Sequence, residues 1–204
     1  MKKLLSILLA VCMCFSLCVL FTSCDEDDPF AGITKEVWEE YIAESNFENV
    51  TINYVFATEA QGTQTHVVKI TEDKLYRAVS MVMGDQTYED DVTFTGDEAA
   101  SQRKLFIDIF LELLANRADY EYDEEKGVYK SPKPVVKNLE IEGQTITETM
   151  TNGEVKFDSK GNLVYFTCHL VESTTWEGQT HETVGNVEWH FSDFGTTVIE
   201  DAAE

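Results

Sequence analysis

Positive charge is scarce in this sequence. Its 15 Lys and Arg residues are set against 38 Asp and Glu residues, and the formal net charge at pH 7 is −23. A surface this acidic repels the phosphates of nucleic acids and the headgroups of anionic lipids. We therefore expect no nucleic-acid partner, and no attachment to a membrane through basic residues.

The motifs of common catalytic centres are also missing. The chain contains no Gly-x-Ser-x-Gly nucleophile motif and no glycine-rich phosphate loop. Carboxylate pairs could be chosen almost at will from 38 acidic residues, so such pairs carry no information about catalysis. We predict that the protein is not an enzyme and has no cofactor.

Histidine and cysteine do not form a metal-binding pattern. A zinc site needs three or four ligands that point to one place. Cys168 and His169 are neighbours on one predicted strand, so their side chains point to opposite faces of the sheet. His169 and His190 share a face but lie about 13 Å apart at the spacing of a strand. We predict no metal site, and we expect Cys168 to be a buried, inert thiol.

One acidic stretch has two possible interpretations. Asp119, Glu121 and Asp123 recur at alternate positions, as calcium ligands often do. An EF-hand loop requires glycine at its sixth position, where Glu124 stands. The stretch 119–125 is therefore either a calcium site of another kind or a solvated acidic loop.

The first 28 residues have the order of a targeting segment. A basic start is followed by the apolar run Leu4 to Phe21, by Thr22-Ser23-Cys24, and by four acidic residues: Asp25, Glu26, Asp27 and Asp28. The alternative is a transmembrane anchor, but an anchor would not explain the small residues before Cys24. The segment resembles a bacterial lipoprotein signal, with Phe21 where Leu or Val is usual. The acidic run resembles the export signal of Bacteroidetes-type surface lipoproteins.

This resemblance implies how the chain is divided and where in the cell the protein is located. Residues 1–23 would be a signal peptide that is removed, residues 24–33 a lipidated acidic tether, and residues 34–204 a single domain. The protein would be anchored in the outer membrane by acyl chains on Cys24 and would face the cell exterior. Cys12, Cys14 and Cys18 would leave with the signal, so Cys168 would have no partner for a disulfide.

The clearest structural pattern lies between Leu163 and Ser192. A two-residue turn at Glu177-Gly178 pairs Phe166 with Trp189 and Cys168 with Val187, and every residue on that face is then apolar or glycine. Such alternation predicts a half-buried antiparallel hairpin. A shift of the strand pairing by one residue would expose these apolar side chains to water, so we expect the register to be fixed.

Alternation and turn residues predict further strands and two helices. The first helix would start after Thr34 and run to about Ser45, and the second from Glu98 to about Ala118. Asn152-Gly153 has the sequence of a type I′ turn between two strands. The predicted strands are Val50–Ala57, His66–Ile70, Leu75–Met83, Thr87–Phe94, Val135–Ile141, Thr145–Met150, Val155–Phe157 and Thr197–Glu200, with a short hairpin of 120–122 with 128–130.

This order predicts an α+β fold, in which a strongly curved antiparallel meander sheet packs on an N-terminal helix and a very apolar central helix. The layout resembles the half-open barrel of the lipoprotein-carrier and lipid-binding lipoprotein fold. That resemblance implies an apolar small molecule or lipid in the concavity of the sheet. The candidate lining residues are Trp38, Phe106, Phe110, Phe166, Trp189 and Phe191. The alternative is a surface module for protein or glycan capture, with these residues in a filled core and no pocket.

Overall fold

The computed structural model describes residues 32–58, 62–141, 144–176 and 179–200. Within this part of the chain, α1 is Lys35–Tyr41 and α2 is Gly96–Leu114, and short 3₁₀ turns occupy Glu44–Phe47 and Arg117–Asp119. The strands are β1 Val50–Thr58, β2 Gly62–Ile70, β3 Lys74–Met83, β4 Gln86–Thr95, β5 Glu121–Asp123, β6 Val128–Lys130, β7 Val135–Ile141, β8 Gln144–Phe157, β9 Leu163–Trp176 and β10 Gln179–Ser192.

The predicted fold class is confirmed. The ten strands form one antiparallel sheet in the order β4-β3-β2-β1-β10-β9-β8-β6-β5, and β7 pairs with β8 beside β6. The sheet is not closed. Helix α2 contacts β3 and β4 on one flank and β7 on the other, because the sheet curves around it. The residues from Gly32 onward form one compact unit.

The register of the hairpin of β9 and β10 is also confirmed. Phe166 is paired with Trp189, Cys168 with Val187, and the pairing continues to Trp176 and Gln179. The rings of Phe166 and Trp189 stack at a centroid distance of 4.9 Å, with 12° between their planes. The residues of the turn, 177 and 178, lie outside the described residues.

Strand β8 departs from the prediction. It is one continuous strand in which Asn152, at φ 54°, and Gly153 form a bulge rather than a hairpin turn. The bulge lies where β8 changes its neighbour from β7 to β6. Ser131 holds this point, because its backbone N–H donates to Gly153 O (2.8 Å) and its Oγ accepts from Gly153 N–H (2.9 Å).

The predicted last strand, 197–200, is not present in the described structure. Both edges of β1 are already taken, by β2 and by β10, so a further strand has no place there. Thr197 is instead held by side chains. Its backbone N–H donates to Asn49 Oδ1 (2.8 Å), and its hydroxyl lies 3.1 Å from that of Thr51.

Both helices end earlier than predicted. Helix α1 begins after Thr34, whose Oγ1 accepts from Val37 N–H, and ends where the Asn46 side chain donates to the carbonyls of Glu40 and Tyr41. In α2, the indole of Trp38 donates to the carbonyl of Leu114 at 2.8 Å. That carbonyl is one of the last four of the helix, which lack a helical donor, and the N–H of Ala118, the donor that would continue the helix, donates instead to Asn116 Oδ1.

Neither helix among the described residues has both the length and the hydropathy that are needed to cross a bilayer.

Candidate binding site on the concave face

The six aromatic residues predicted to line a pocket lie in three places. Phe110, from α2, lies 5.1 Å from Phe191 and 6.4 Å from Trp189 between ring centroids. Trp189 stacks on Phe166, so these four rings form one packed group. All four are at most 4% exposed. This end of the concave face is therefore filled by protein.

Trp38 belongs to a different group of rings. It contacts Tyr120, Tyr129 and Phe157 at centroid distances of 5.0, 5.3 and 5.2 Å. In the described part of the chain its ring contacts do not include the group around Trp189, although both belong to one hydrophobic core. Phe106 is half-buried at the border of the core, 6.4 Å from the ring of Tyr54.

The concave face opens as the strands continue away from this packed group. On β1 and β2 the buried residues Ile52 and Val68 are followed by half-buried residues on the same face. On β4 the inward-facing Tyr88 is 52% exposed. The half-buried residues of this open part include Tyr54, Phe56, Gln64, His66, Val79 and Met81.

Unpaired polar atoms lie within this open part. The two ring nitrogens of His66 and the Nε of Arg77 are buried, and no residue in the described part of the chain forms a hydrogen bond with them. Burial, and then the charge of Arg77, lowers the pKa of His66. Buried polar groups in native proteins are nearly always hydrogen-bonded, to protein, water or ligand. These atoms are therefore candidate hydrogen-bonding partners for water or for a polar ligand.

Two glutamates face each other farther along the same concave face. Glu148 on β8 is paired directly with Glu172 on β9, and the two inward neighbours of Glu148 on β8 are Ile146 and Met150. Glu148 is only 6% exposed. Burial first, and then the charges of Glu172 and of Glu112 on α2, raises its pKa to about 7.

Cys168 and Tyr54 lie on the same face of the sheet as this pair. Cys168 is 3% exposed and has no disulfide partner, as expected for a buried thiol. Burial, and then the charge of Glu148, raises its pKa to about 12. Burial also raises the pKa of Tyr54, and the charges of Cys168, Glu172 and Glu148 add to this effect.

The acidic stretch 119–125 has a local role in the structure. Asp123 accepts hydrogen bonds from Lys130 Nζ and from the backbone N–H groups of Glu125 and Lys126, which hold the pKa of its carboxyl below its usual value. It therefore closes the β5–β6 hairpin. Across the described ranges, no three His, Cys, Asp or Glu residues are arranged to hold a metal ion.

A separate groove of 630 Å³ lies beside that hairpin, on the surface. It is open to solvent, and acidic side chains predominate over the single lysine in it. Its lining residues are Glu121, Tyr122, Asp123, Lys130, Ser131, Pro132, Asn152, Gly153 and Glu154.

The sequence reasoning missed Glu148 and Glu172. The signal was available, because Glu148 alternates with Ile146 and Met150, and Glu172 follows Leu170 at the same spacing. A carboxyl group in an apolar alternation points to the buried face of a strand. The predicted lipidation site Cys24 and the residues Asp25–Asp28 lie outside the described residues.

Comparison with known proteins gives no family. No family model matches the chain, and no curated protein matches it. Among solved structures, one from Bacillus halodurans, named a "putative adenylate cyclase", shares 11% sequence identity over 78% of this chain and 75% of its own. Its TM-score is 0.19, so this likeness supports no conclusion about fold or activity.

Proposed function

We propose that the protein is a non-catalytic lipoprotein, anchored in the outer membrane and facing the cell exterior, that binds an amphipathic small molecule or lipid in the open part of its concave face. The observation that carries the binding proposal is the unpaired His66 among half-buried aromatic and apolar side chains. Ligand sites combine such apolar walls with a few polar groups that fix orientation.

Because the packed aromatic group fills one end of the concave face, the ligand would lie farther along that face than the residues chosen from the sequence. Because Phe110, Phe166, Trp189 and Phe191 contact one another, an apolar tail would lie beyond them, against residues that are still half-buried. Phe56, Met81 and Phe106 supply that apolar surface. His66 and Tyr54 supply polar atoms next to it.

The lipid anchor is supported by the order of residues around Cys24. Replacement of Cys24 by Ala is expected to leave the protein unprocessed or released from membranes, measured by fractionation and by labelling with a radioactive fatty acid. Replacement of Asp25–Asp28 by four alanines is expected to protect the protein from protease added to whole cells. Membrane partitioning of a cleaved Cys24→Ala chain would contradict the anchor, and unchanged cleavage by the protease would contradict surface export.

The binding proposal is tested with a fluorescent apolar probe and with native mass spectrometry. The purified protein is expected to carry an extractable lipid or to bind 1-N-phenylnaphthylamine. Phe106→Ala is expected to weaken probe binding, whereas Leu105→Ala is expected to leave it unchanged, because Leu105 is 57% exposed on the same helix. If the wild-type protein binds no probe and yields no lipid, the binding proposal is wrong.

The alternative function is a surface module that captures a protein or glycan. The filled aromatic group around Trp189 favours it, because a domain of this kind needs its apolar residues only for a core. In that case Phe106→Ala would lower stability without any effect on a bound small molecule, and the open surface groove beside Tyr122 would be the first place to search for contacts.

A further inference from the structure

His66 and Arg77 are neighbours on the inward face of the sheet. Arg77 on β3 is paired with Val68 on β2, and Val68 is the next inward-facing residue after His66. Diagonal neighbours on adjacent strands lie within reach of each other when one side chain is long. On its other side, the ring of His66 is 5.1 Å from the ring of Tyr54, its partner on β1. The two side chains therefore lie where the buried Val68 gives way to half-buried residues.

The nitrogens of these two side chains lack partners. Both ring nitrogens of His66 and the Nε of Arg77 are buried, and no residue in the described part of the chain forms a hydrogen bond with them. Arg77 also forms no ion pair with any described residue. Its guanidinium carbon lies 6.0 Å from the centre of the Phe94 ring, which is the outer limit of a cation–π contact. A positive charge that leaves water needs a closer partner of opposite charge.

Another arginine shows how the chain itself satisfies a buried guanidinium group. Arg117 is 4% exposed, and it donates to the backbone carbonyls of Ile33 and Tyr120. Its guanidinium carbon also lies 4.9 Å from the centre of the Tyr129 ring. Within the described ranges no carbonyl or carboxylate does this for Arg77, so its acceptor comes from elsewhere.

The groups that face Arg77 leave its charge unbalanced. Val92 on β4 is directly opposite Arg77, and Asp90 is the neighbouring inward-facing residue on that strand. Asp90 is exposed on the edge strand and forms no ion pair with Arg77. Water could satisfy the nitrogens, but it carries no charge. An anion would satisfy both the hydrogen bonds and the charge.

A carboxylate fits this arrangement better than a phosphate does. The Nε–H and one Nη–H of a guanidinium group form a fork that matches the two oxygens of a carboxylate. Burial, and then the charge of Arg77, lowers the pKa of His66, so its neutral imidazole adds one donor but no second positive charge. A single arginine therefore balances a monoanion, whereas a phosphate monoester would leave an excess of negative charge.

Apolar surface continues from these nitrogens toward the open end of the sheet. Val79 is opposite His66, and the next inward-facing row contains Phe56, Gln64 and Met81 in register. All four of these residues are half-buried. An alkyl chain that leaves His66 would therefore lie along Val79 and then reach Phe56 and Met81.

We propose that Arg77 and His66 bind the carboxylate of a single-chain anionic amphiphile, such as a fatty acid, whose tail lies along Val79, Phe56 and Met81. This inference rests on the proposed function, which places an amphipathic ligand in the concavity, and it adds the chemical class of the headgroup. The ligand supplies the acceptor and the negative charge that the described residues do not bring to Arg77.

The test compares three ligands with the same ten-carbon tail: decanoate, decanol and decyltrimethylammonium. Binding to the delipidated chain from residue 24 onward, carrying Cys24→Ser, is measured by calorimetry below the micelle concentration of each ligand, at about pH 8, where decanoate is ionised. Decanoate is expected to bind about tenfold or more tightly than decanol, and also more tightly than the ammonium. The net charge of −23 repels anions and attracts cations, so this order cannot come from the net charge.

Four variants locate the site. Arg77→Met keeps the length of the side chain and removes the guanidinium group, so it is expected to lower the affinity for decanoate about tenfold while decanol binding is retained. Lys69→Met is the matched control, because it removes the same charge from the outer face of β2 and should leave the preference intact. His66→Phe keeps a ring and removes the nitrogens, so it is expected to reduce the preference less than Arg77→Met does. Arg77→Lys, which keeps the charge without the fork, should retain part of the preference.

Each outcome has a separate meaning, once circular dichroism has confirmed that each variant is folded. If decanol or the ammonium binds as tightly as decanoate, the headgroup inference is wrong, water alone satisfies the nitrogens, and the proposed binding of an amphiphile stands. If the preference persists unchanged in both Arg77→Met and His66→Phe, or falls equally in Lys69→Met, the site of the anion is wrong. Should Arg77→Met not fold, Arg77→Lys and His66→Phe decide the same question. If none of the three ligands binds, both the inference and the binding proposal fail.

Discussion

Glu148→Gln is expected to stabilise the ligand-free protein above neutral pH. The change keeps the shape of the side chain and removes its charge from a position that is 6% exposed. The pKa of Glu148 is raised from 4.5 to about 7 in the folded protein, and a difference of this size corresponds to about 3 kcal/mol between the two protonation states. Ionisation of Glu148 therefore opposes folding.

The direction of the pH dependence follows from these two values. Below pH 4.5 the carboxyl group is protonated in both the folded and the unfolded chain, and it costs nothing. Between pH 4.5 and 7 the unfolded chain releases the proton first, so the free energy of unfolding falls as the pH rises. Above pH 7 the whole cost is present.

Urea denaturation at pH 5 and pH 8 measures the effect. Relative to wild type, Glu148→Gln should raise the free energy of unfolding by up to about 3 kcal/mol at pH 8 and by less than about 1 kcal/mol at pH 5. Glu188→Gln, on the exposed outer face, should change it by no more than about 0.5 kcal/mol at either pH. An equal effect of the two substitutions, or a Glu148→Gln effect that does not depend on pH, would refute this account of the buried carboxyl group.

Two further substitutions test the packing of the sheet. Phe110→Ala should lower the free energy of unfolding by about 3–5 kcal/mol, because the ring is fully buried against Phe191. Leu105→Ala, at an exposed position of the same helix, is the control. A loss below about 1.5 kcal/mol for Phe110→Ala would show that the aromatic group is not closed. Ser131→Ala should cost about 1–3 kcal/mol, since the buried Gly153 N–H loses its acceptor; hydrogen exchange at Gly153 should accelerate, and unchanged exchange would contradict this role.

The hairpin of β9 and β10 could be predicted to the residue because its information is local. One turn and a strict alternation determine which residues are opposed, so Phe166 and Trp189 follow from Glu177-Gly178. The end of α2 could not be found in this way. The last turn is satisfied by the indole of Trp38, a residue far away in the sequence, which donates to the carbonyl of Leu114.

The error at Asn152-Gly153 has a similar cause. The dipeptide favours a positive φ, and the structure has one at Asn152. A positive φ serves a hairpin turn or a bulge equally well. What decides between them is the exchange of β7 for β6 as the neighbour of β8, and no pattern near Asn152 records that exchange.

The candidate site was harder to predict than the fold. The aromatic residues chosen from the sequence are large and apolar, but size and hydropathy do not distinguish a core ring from one that lines a pocket. The distinction depends on how far α2 covers the sheet, and Phe110 is covered while Phe106 is only half covered. Glu148 was hidden among 38 acidic residues, because only its position on the inward face gives it significance.

The pairing of β1 with β10 constrains the order in which this protein can fold. Thr51 is opposite Ser192 at the centre of the sheet, so the edge of β1 in the half formed by β1–β4 stays unpaired until the last strand has been synthesised. Loop closure over such a separation is slow. During that interval the edge of β1, with Ile52 and Tyr54, can pair with other chains. Productive folding of this chain therefore requires that the edge of β1 stay shielded, or the chain stay unfolded, until β10 is available.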